Sequence, residues 1–228
     1  PAFSYMVLGE YPAQAANQLI SREWISDARA RWDAYVSQNG ESPPDYSTCI
    51  QGLDVAEFGQ DLNVLCSRWG GYVERMDQAV WSGLDLAGTA DRGILEYKHR
   101  NAERCNVDGT GVGAGVAPNM QRRGVIANSI KVASKPTKTS ELGDFNILRD
   151  QLWWAVREWL RDDHGAMLPP DEMLIEELLA PTYEIRGGKI RVMDKDSMKE
   201  IIQRSPDRAE ALMLTFYNDS FFAGCDTA

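Results

Sequence analysis

Thr48-Cys49-Ile50-Gln51-Gly52-Leu53-Asp54-Val55 is an apolar run that closes on an acid, and two strand-like runs follow it, Leu62 to Trp69 and Gly71 to Gln78. Glycines at Gly59 and Gly70-Gly71 separate the three, so short turns and an antiparallel meander are expected. Downstream, Asp85 to Glu103 reads as a helix with Asp91 and Glu96 on its exposed side. A short strand at Cys105 to Asp108 and another near Val125 to Val132 come next. The strongest helix is Asn146 to Asp162, where Leu148, Leu152, Val156 and Leu160 recur every four residues. Leu174 to Leu179 is a short helix closed by Pro181, and Tyr183–Arg186 with Lys189–Met193 flank Gly187-Gly188 as a hairpin. Ser197 to Ile202 and Arg208 to Tyr217 read as the final helices. Upstream, Ser21 caps an amphipathic helix to Tyr35 that carries Trp24, Ile25, Ala28 and Trp32 on one stripe. A polar, proline-bearing linker at residues 38–45 separates that helix from the strands.

The order of three strands, a helix, a strand and a helix-rich remainder suits an α/β domain of the ribonuclease H type, with a central mixed sheet flanked by helices. The 228 residues suffice for one well-cored domain with decorations. No apolar run is long enough to span a bilayer. Cys49, Cys66, Cys105 and Cys225 form no C-x-x-C pair, so buried free thiols are expected rather than disulfides or zinc ligands. The net charge of −10 excludes a general nucleic-acid coat, which would be basic. Local positive charge does exist: Arg122, Arg123, Lys131, Lys135 and Lys138 fall between Gln121 and Thr139 with no acid among them. A solvated face and a phosphate-contacting surface both fit that stretch.

Three acids stand out. Asp54 and Asp108 each end a strand-like segment and run into glycine-bearing turns, and Asp207 opens an apolar helical run. A carboxylate at a buried strand end costs solvation energy, and clustered acids are best rationalised by divalent cations that prefer oxygen ligands. Asp61 returns towards Asp54 if the chain turns through Gly59; a turn-capping role is its alternative. Asp207 and Glu210 lie one helical turn apart behind Pro206, and a contribution to the helix dipole is the competing account of Asp207. The glycines from Gly109 to Gly115 fit neither the dinucleotide fingerprint nor a P-loop, and plausibly let backbone approach the acid closely. His99 and His164 have no partner at zinc spacing, and no Gly-x-Ser-x-Gly elbow exists. Trp153, Trp154 and Trp159 can stack bases or fill a core. The residues read as a metal-dependent nuclease.

These motifs together resemble the nuclease part of a large terminase subunit, the DNA-packaging motor of tailed bacteriophages. The resembling pieces are Val7–Pro12, Gly52–Asp61, Val107–Gly113, Leu152-Trp153-Trp154, Gly188-Lys189-Ile190, Lys195–Lys199 and Ser205–Leu212, in the family's order over nearly the whole chain. The resemblance implies two Mg²⁺ or Mn²⁺ ions held by Asp54, Asp108 and Asp207, with Asp61 as a supporting acid. Glu210 stands where the family usually has Asp. Lys195 matches a recurrent basic position, to be read as phosphate-neutralising or as a solvated lysine, and Arg122, Arg123, Lys131 and Lys135 would track a DNA backbone. Residues 1–45 would be the end of an ATPase motor region with its linker helix, and 46–228 the nuclease. The implied role is cutting concatemeric viral DNA at the start and end of packaging, in the cytoplasm of an infected bacterium and transiently at the procapsid portal. The implied partners are double-stranded DNA, the ATPase domain, the small terminase subunit and the portal, with no membrane. A recombinase or resolvase on the same fold, and a DNA-holding module without catalysis, are the rival readings.

Overall fold

A computed structural model describes residues 17–56, 62–162 and 165–217. Its centre is a six-stranded mixed sheet built on β1 (Cys49–Asp54). β1 pairs antiparallel with β2 (Asn63–Trp69), from Cys49 opposite Trp69 to Asp54 opposite Val64. On its other side β1 runs parallel to β5 (Arg104–Asp108), which runs parallel to β6 (Ala127–Ile130). The expected third strand shrinks to β3 (Tyr72–Val73), because the chain then turns and pairs the other end of β2 through β4 (Val80–Trp81). Every residue of β1 and β2 is buried, as befits a sheet covered on both faces.

One face is covered by α2 (Leu86–His99) and α3 (Val116–Arg122), which bury Ala90, Ile94, Val116 and Met120 against Leu53, Leu65 and Val107. Glu96, expected on the exposed side of α2, is 6% exposed instead. Arg92 and Arg100, one turn to either side, form the ion pairs that satisfy it, and Arg100 also pairs with Glu74, a burial that helical periodicity alone does not reveal.

The opposite face carries α7 (Asp207–Leu214), backed by α4 (Leu148–Asp162), α5 (Glu172–Leu179) and α1 (Arg22–Asn39). Trp153, Trp154 and Trp159 lie fully inside this core, which assigns them to packing rather than to bases. Ser21 caps α1 as expected, accepting from the Trp24 N–H at 3.2 Å, and Trp32 donates its indole N–H to Val73 O at 3.1 Å. A second, four-stranded sheet was not foreseen: β7 (Thr139–Ser140), β8 (Gly143–Phe145), β10 (Lys189–Val192) and β9 (Tyr183–Arg186), in that order. The β9–β10 hairpin was foreseen. β7 and β8 are too short for an alternating pattern to register. Cys49, Cys66 and Cys105 are buried free thiols, as expected.

α7 lies unusually close to β1 because Gly52 has no side chain. A Cβ there would stand 2.0 Å from the Ala211 carbonyl oxygen and 3.0 Å from Leu214 Cβ. Gly52→Ala must therefore push the helix off the sheet, and its cost is expected near 3 kcal/mol, at the upper end of overpacking effects. Urea denaturation would show it; an unchanged midpoint would mean that the helix adapts without loss.

Candidate metal centre

Side chains alternate across a strand, so Asp54 shares a face with Gly52, and Asp108 shares one with Asn106. Both faces are the α7 face: Gly52 abuts Ala211, and Asn106 donates to Leu214 O at 2.8 Å. The parallel register places Leu53 beside Val107, so the two acids emerge side by side at the ends of neighbouring strands. Asp207 and Glu210 reach the same place from the first turn of α7. Together they line a cleft of ≈ 750 Å³ whose other wall is formed by Arg149, Asp150, Arg191 and the segment Met193–Ser197.

Lys195 opens α6 (Lys195–Ile202), whose N-cap Asp194 accepts from the Ser197 N–H at 2.8 Å. Its ammonium stands among the acids, 3.2 Å from Asp54 Oδ2 and 3.8 Å from Asp207 Oδ1. Lys195 therefore pairs with acids of the cluster while its side chain stays 39% exposed. Burial raises the Asp54 carboxyl to about 7; Lys195 opposes that shift, while Asp207, Glu210 and Asp108 add to it. Burial also raises Asp108, although its oxygens accept from Thr110, the backbone N–H at 3.0 Å. Lys195 is raised as well: desolvation lowers it, but Asp54, Glu210 and Asp207 outweigh that and leave it above its usual range.

Glu210 is different. It is buried, which raises a carboxyl, yet Arg149 and Lys195 hold it below its ordinary value. Arg149 Nε and Nη2 donate to its Oε1 at 3.0 and 2.6 Å, and the Trp153 indole donates to the same oxygen at 3.1 Å. Arg149 also donates to Met193 O at 2.8 Å, so it ties α7 to the segment that presents Lys195. Arg149 carries no motif in the sequence, and Trp153, read there as a base-stacking or core residue, serves also as a donor to Glu210.

Asp54, Asp108 and Asp207 thus converge, while Asp61, His164, Cys225 and the piece Val7–Pro12 lie outside the described residues. The basic stretch is divided. Lys131 follows Ile130, which pairs with Asp108, so it emerges at the acid end of the sheet, and Lys135 lies in the loop beyond. Arg122 and Arg123 end α3, which runs back to the opposite end of the sheet; there Arg123 pairs with Asp91. The glycines after Asp108 do permit close approach: a Cβ on Gly113 would lie 2.2 Å from the Asp108 carbonyl oxygen.

Among the described residues, no three His, Cys, Asp or Glu side chains are drawn together tightly enough to hold a metal ion as they stand. The Lys195 ammonium stands between Asp54 and Asp207. The donor set itself fits Mg²⁺ or Mn²⁺, being hard carboxylate oxygens whose carboxyls burial raises and neighbouring acids raise further.

No protein-family model matches the chain, and no curated protein does. Solved structures do. The nuclease domain of the large terminase subunit gp2 of bacterial virus Sf6 is 24% identical, with a TM-score of 0.68 over 87% of this chain and 97% of that one. A mutant of that domain bound to manganese and beta-thujaplicinol gives 24% and 0.70 over the same shares. The large terminase nuclease of thermophilic phage G20c with bound magnesium is 16% identical, with a TM-score of 0.56 over 77% and 83%. This chain therefore has the fold of the terminase nuclease domains, the ribonuclease H-like fold expected from its sequence.

In the metal-free protein the Asp54 carboxyl is expected to titrate near pH 7 by carbon-detected NMR. Because the Lys195 charge favours the carboxylate, Lys195→Met should move that midpoint higher. The linkage has a definite sign. Between about pH 4 and pH 7 the folded chain keeps a proton that the unfolded chain has lost, so Asp54 lowers stability as pH rises through that window. A midpoint near 4 in the wild type would refute this picture of the cluster.

Proposed function

We propose that this chain is a metal-dependent endodeoxyribonuclease that cuts concatemeric viral DNA when genome packaging starts and ends. The observation that carries the reading is the convergence of Asp54, Asp108 and Asp207 on one cleft, around a position that already attracts a cation. The shared fold with terminase nucleases, solved with manganese or magnesium bound, supports it.

In this reading Asp54, Asp108 and Asp207 hold two Mg²⁺ or Mn²⁺ ions, with Asp61 as a further acid. Such ions, when bound, acidify a water and offset charge on the leaving oxygen. The chain's own residues prepare that site. Glu210, kept ionised by Arg149 and Trp153, fixes the first turn of α7 and adds negative potential without changing its own protonation. Asp54, whose carboxyl burial raises to about 7, would give up its proton to hold such an ion. Lys195 would stay in the cleft to meet a phosphate, and Arg191 lines the same wall. Lys131 and Lys135 extend positive charge from the acid end of the sheet and would follow the DNA backbone without reading its sequence. Arg122 and Arg123 are assigned to backbone contacts farther along the surface.

Residues 1–45 are read as the end of a motor region and its linker. The proposed partners are double-stranded DNA, the ATPase domain, the small subunit and the portal, in the cytoplasm of an infected bacterium. No helix among the described residues is long and apolar enough to cross a membrane.

Supercoiled plasmid incubated with the chain and Mn²⁺ or Mg²⁺ should be nicked and linearised, and EDTA should stop it. Asp54→Asn is expected to lower the rate by at least about 10³-fold, the scale of losing a group that acts on the transition state. Equal cutting by the mutant would remove the assignment. Salt-sensitive binding that metal never converts into cutting would favour a DNA-holding module. Joining or selective cutting of branched DNA would favour a recombinase or resolvase.

A further inference from the structure

The first turn of α7 carries Asp207, yet its N-cap residue is Pro206, which offers no side-chain acceptor. The amides of the second and third helical residues are those that an N-cap side chain normally satisfies. Here a carboxyl group from another helix takes both. Glu177, on α5, accepts from the Ala209 N–H at 2.8 Å and from the Arg208 N–H. The residue is 1% exposed, and burial pushes its carboxyl up to about 8 in spite of these amides and of Arg204, 3.5 Å away.

Burying a carboxyl costs desolvation, which its two amide bonds and Arg204 offset. The surroundings show what it does accomplish. Ser205 and Asp207 line the main cleft on one side and a second depression of ≈ 390 Å³ on the other. The start of α7 therefore stands between two open spaces. Arg208 brings further ties to Asp171, the N-cap of α5, and to Asp77 at 3.5 Å.

We propose that Glu177 is a positioning residue: an N-cap supplied by α5 that fixes the first turn of α7, and through it the direction in which Asp207 enters the acid cluster. This rests on the nuclease reading only for what Asp207 is used for. Its hydrogen bonds go to the Arg208 and Ala209 amides, and its charge is also felt by Asp207, which is why Glu177→Gln, lacking that charge, is the decisive control.

The test compares Glu177→Ala, which removes the acceptor, with Glu177→Gln, which keeps one, and Glu177→Asp, which shortens the reach. Mn²⁺ calorimetry, the Mn²⁺ dependence of plasmid nicking and amide hydrogen exchange at residues 207–210 are the readouts. Glu177→Ala should raise the Mn²⁺ dissociation constant and the half-maximal Mn²⁺ concentration by about 10-fold, the lower end of effects from groups behind metal ligands. Glu177→Gln should restore both to within about 2-fold of wild type, and Glu177→Asp should show the defect even if the alanine variant fails to fold. A lower melting temperature with wild-type Mn²⁺ dependence would overturn the proposal, because a purely structural role predicts that pattern. If the wild type neither binds Mn²⁺ nor cuts, the nuclease reading falls by itself, and exchange decides Glu177. Faster exchange at Arg208 and Ala209 in the alanine or aspartate variant would support the cap, and unchanged exchange would refute it.

Discussion

Four carboxylates, those of Asp54, Asp108, Asp207 and Glu210, share one cleft floor with two cations, Lys195 and Arg149. That imbalance shapes the centre. It is not spread evenly: Arg149 and Trp153 commit Glu210 to its ionised form, whereas Asp54 is left protonatable near neutral pH. The deficit of positive charge therefore rests on the two strand-end acids and Asp207, where the half-exposed Lys195 pairs with Asp54 and Asp207. An acid pair so arranged opposes folding unless a cation or a proton joins it.

The rest of the fold reads as a means of enforcing that crowding. Parallel pairing of β1 with β5 sets Asp54 beside Asp108, and strand parity turns both towards α7. Gly52 lets the helix approach until its backbone nearly touches the strand. The far end of α7 is held as firmly as its start. Arg68, buried in β2, donates to the Thr215 hydroxyl at 2.8 Å and to the Thr215 carbonyl at 3.1 Å, while Asn106 donates to Leu214 O. Buried polar side chains thus secure the helix that brings Asp207, and apolar packing alone would not fix its rotation or register.

Much of this was legible in the chain. Acids that end strands are conspicuous because burial penalises them, and the strand periods locate them within a residue or two: β1 and β5 close on Asp54 and Asp108. The long helix declared itself by its leucine spacing. What stayed hidden depends on contacts between distant segments. Glu96 looks like a surface residue until Arg92 and Arg100 pair with it. Arg149 is one more charged residue at a helix start until Glu210, 61 positions away, bonds to it. The basic stretch from Arg122 to Lys138 looked continuous because sequence distance ignores that α3 carries its two arginines back along the sheet.

Lys195 and Arg149 also show why two cations at one site are not equivalent. Arg149 is bound by its fork to Glu210 twice, to Met193 O and, at 3.3 Å, to the Met198 sulfur, so moving it would break several bonds at once. Lys195 makes two looser contacts from a flexible stem, and its side chain is 39% exposed. Any cation that seeks the same carboxylate oxygens must compete with the ammonium, not with the guanidinium. Arg149, through its bond to Met193 O, ties α7 to the segment that presents Lys195, so the firmly held cation positions the loosely held one.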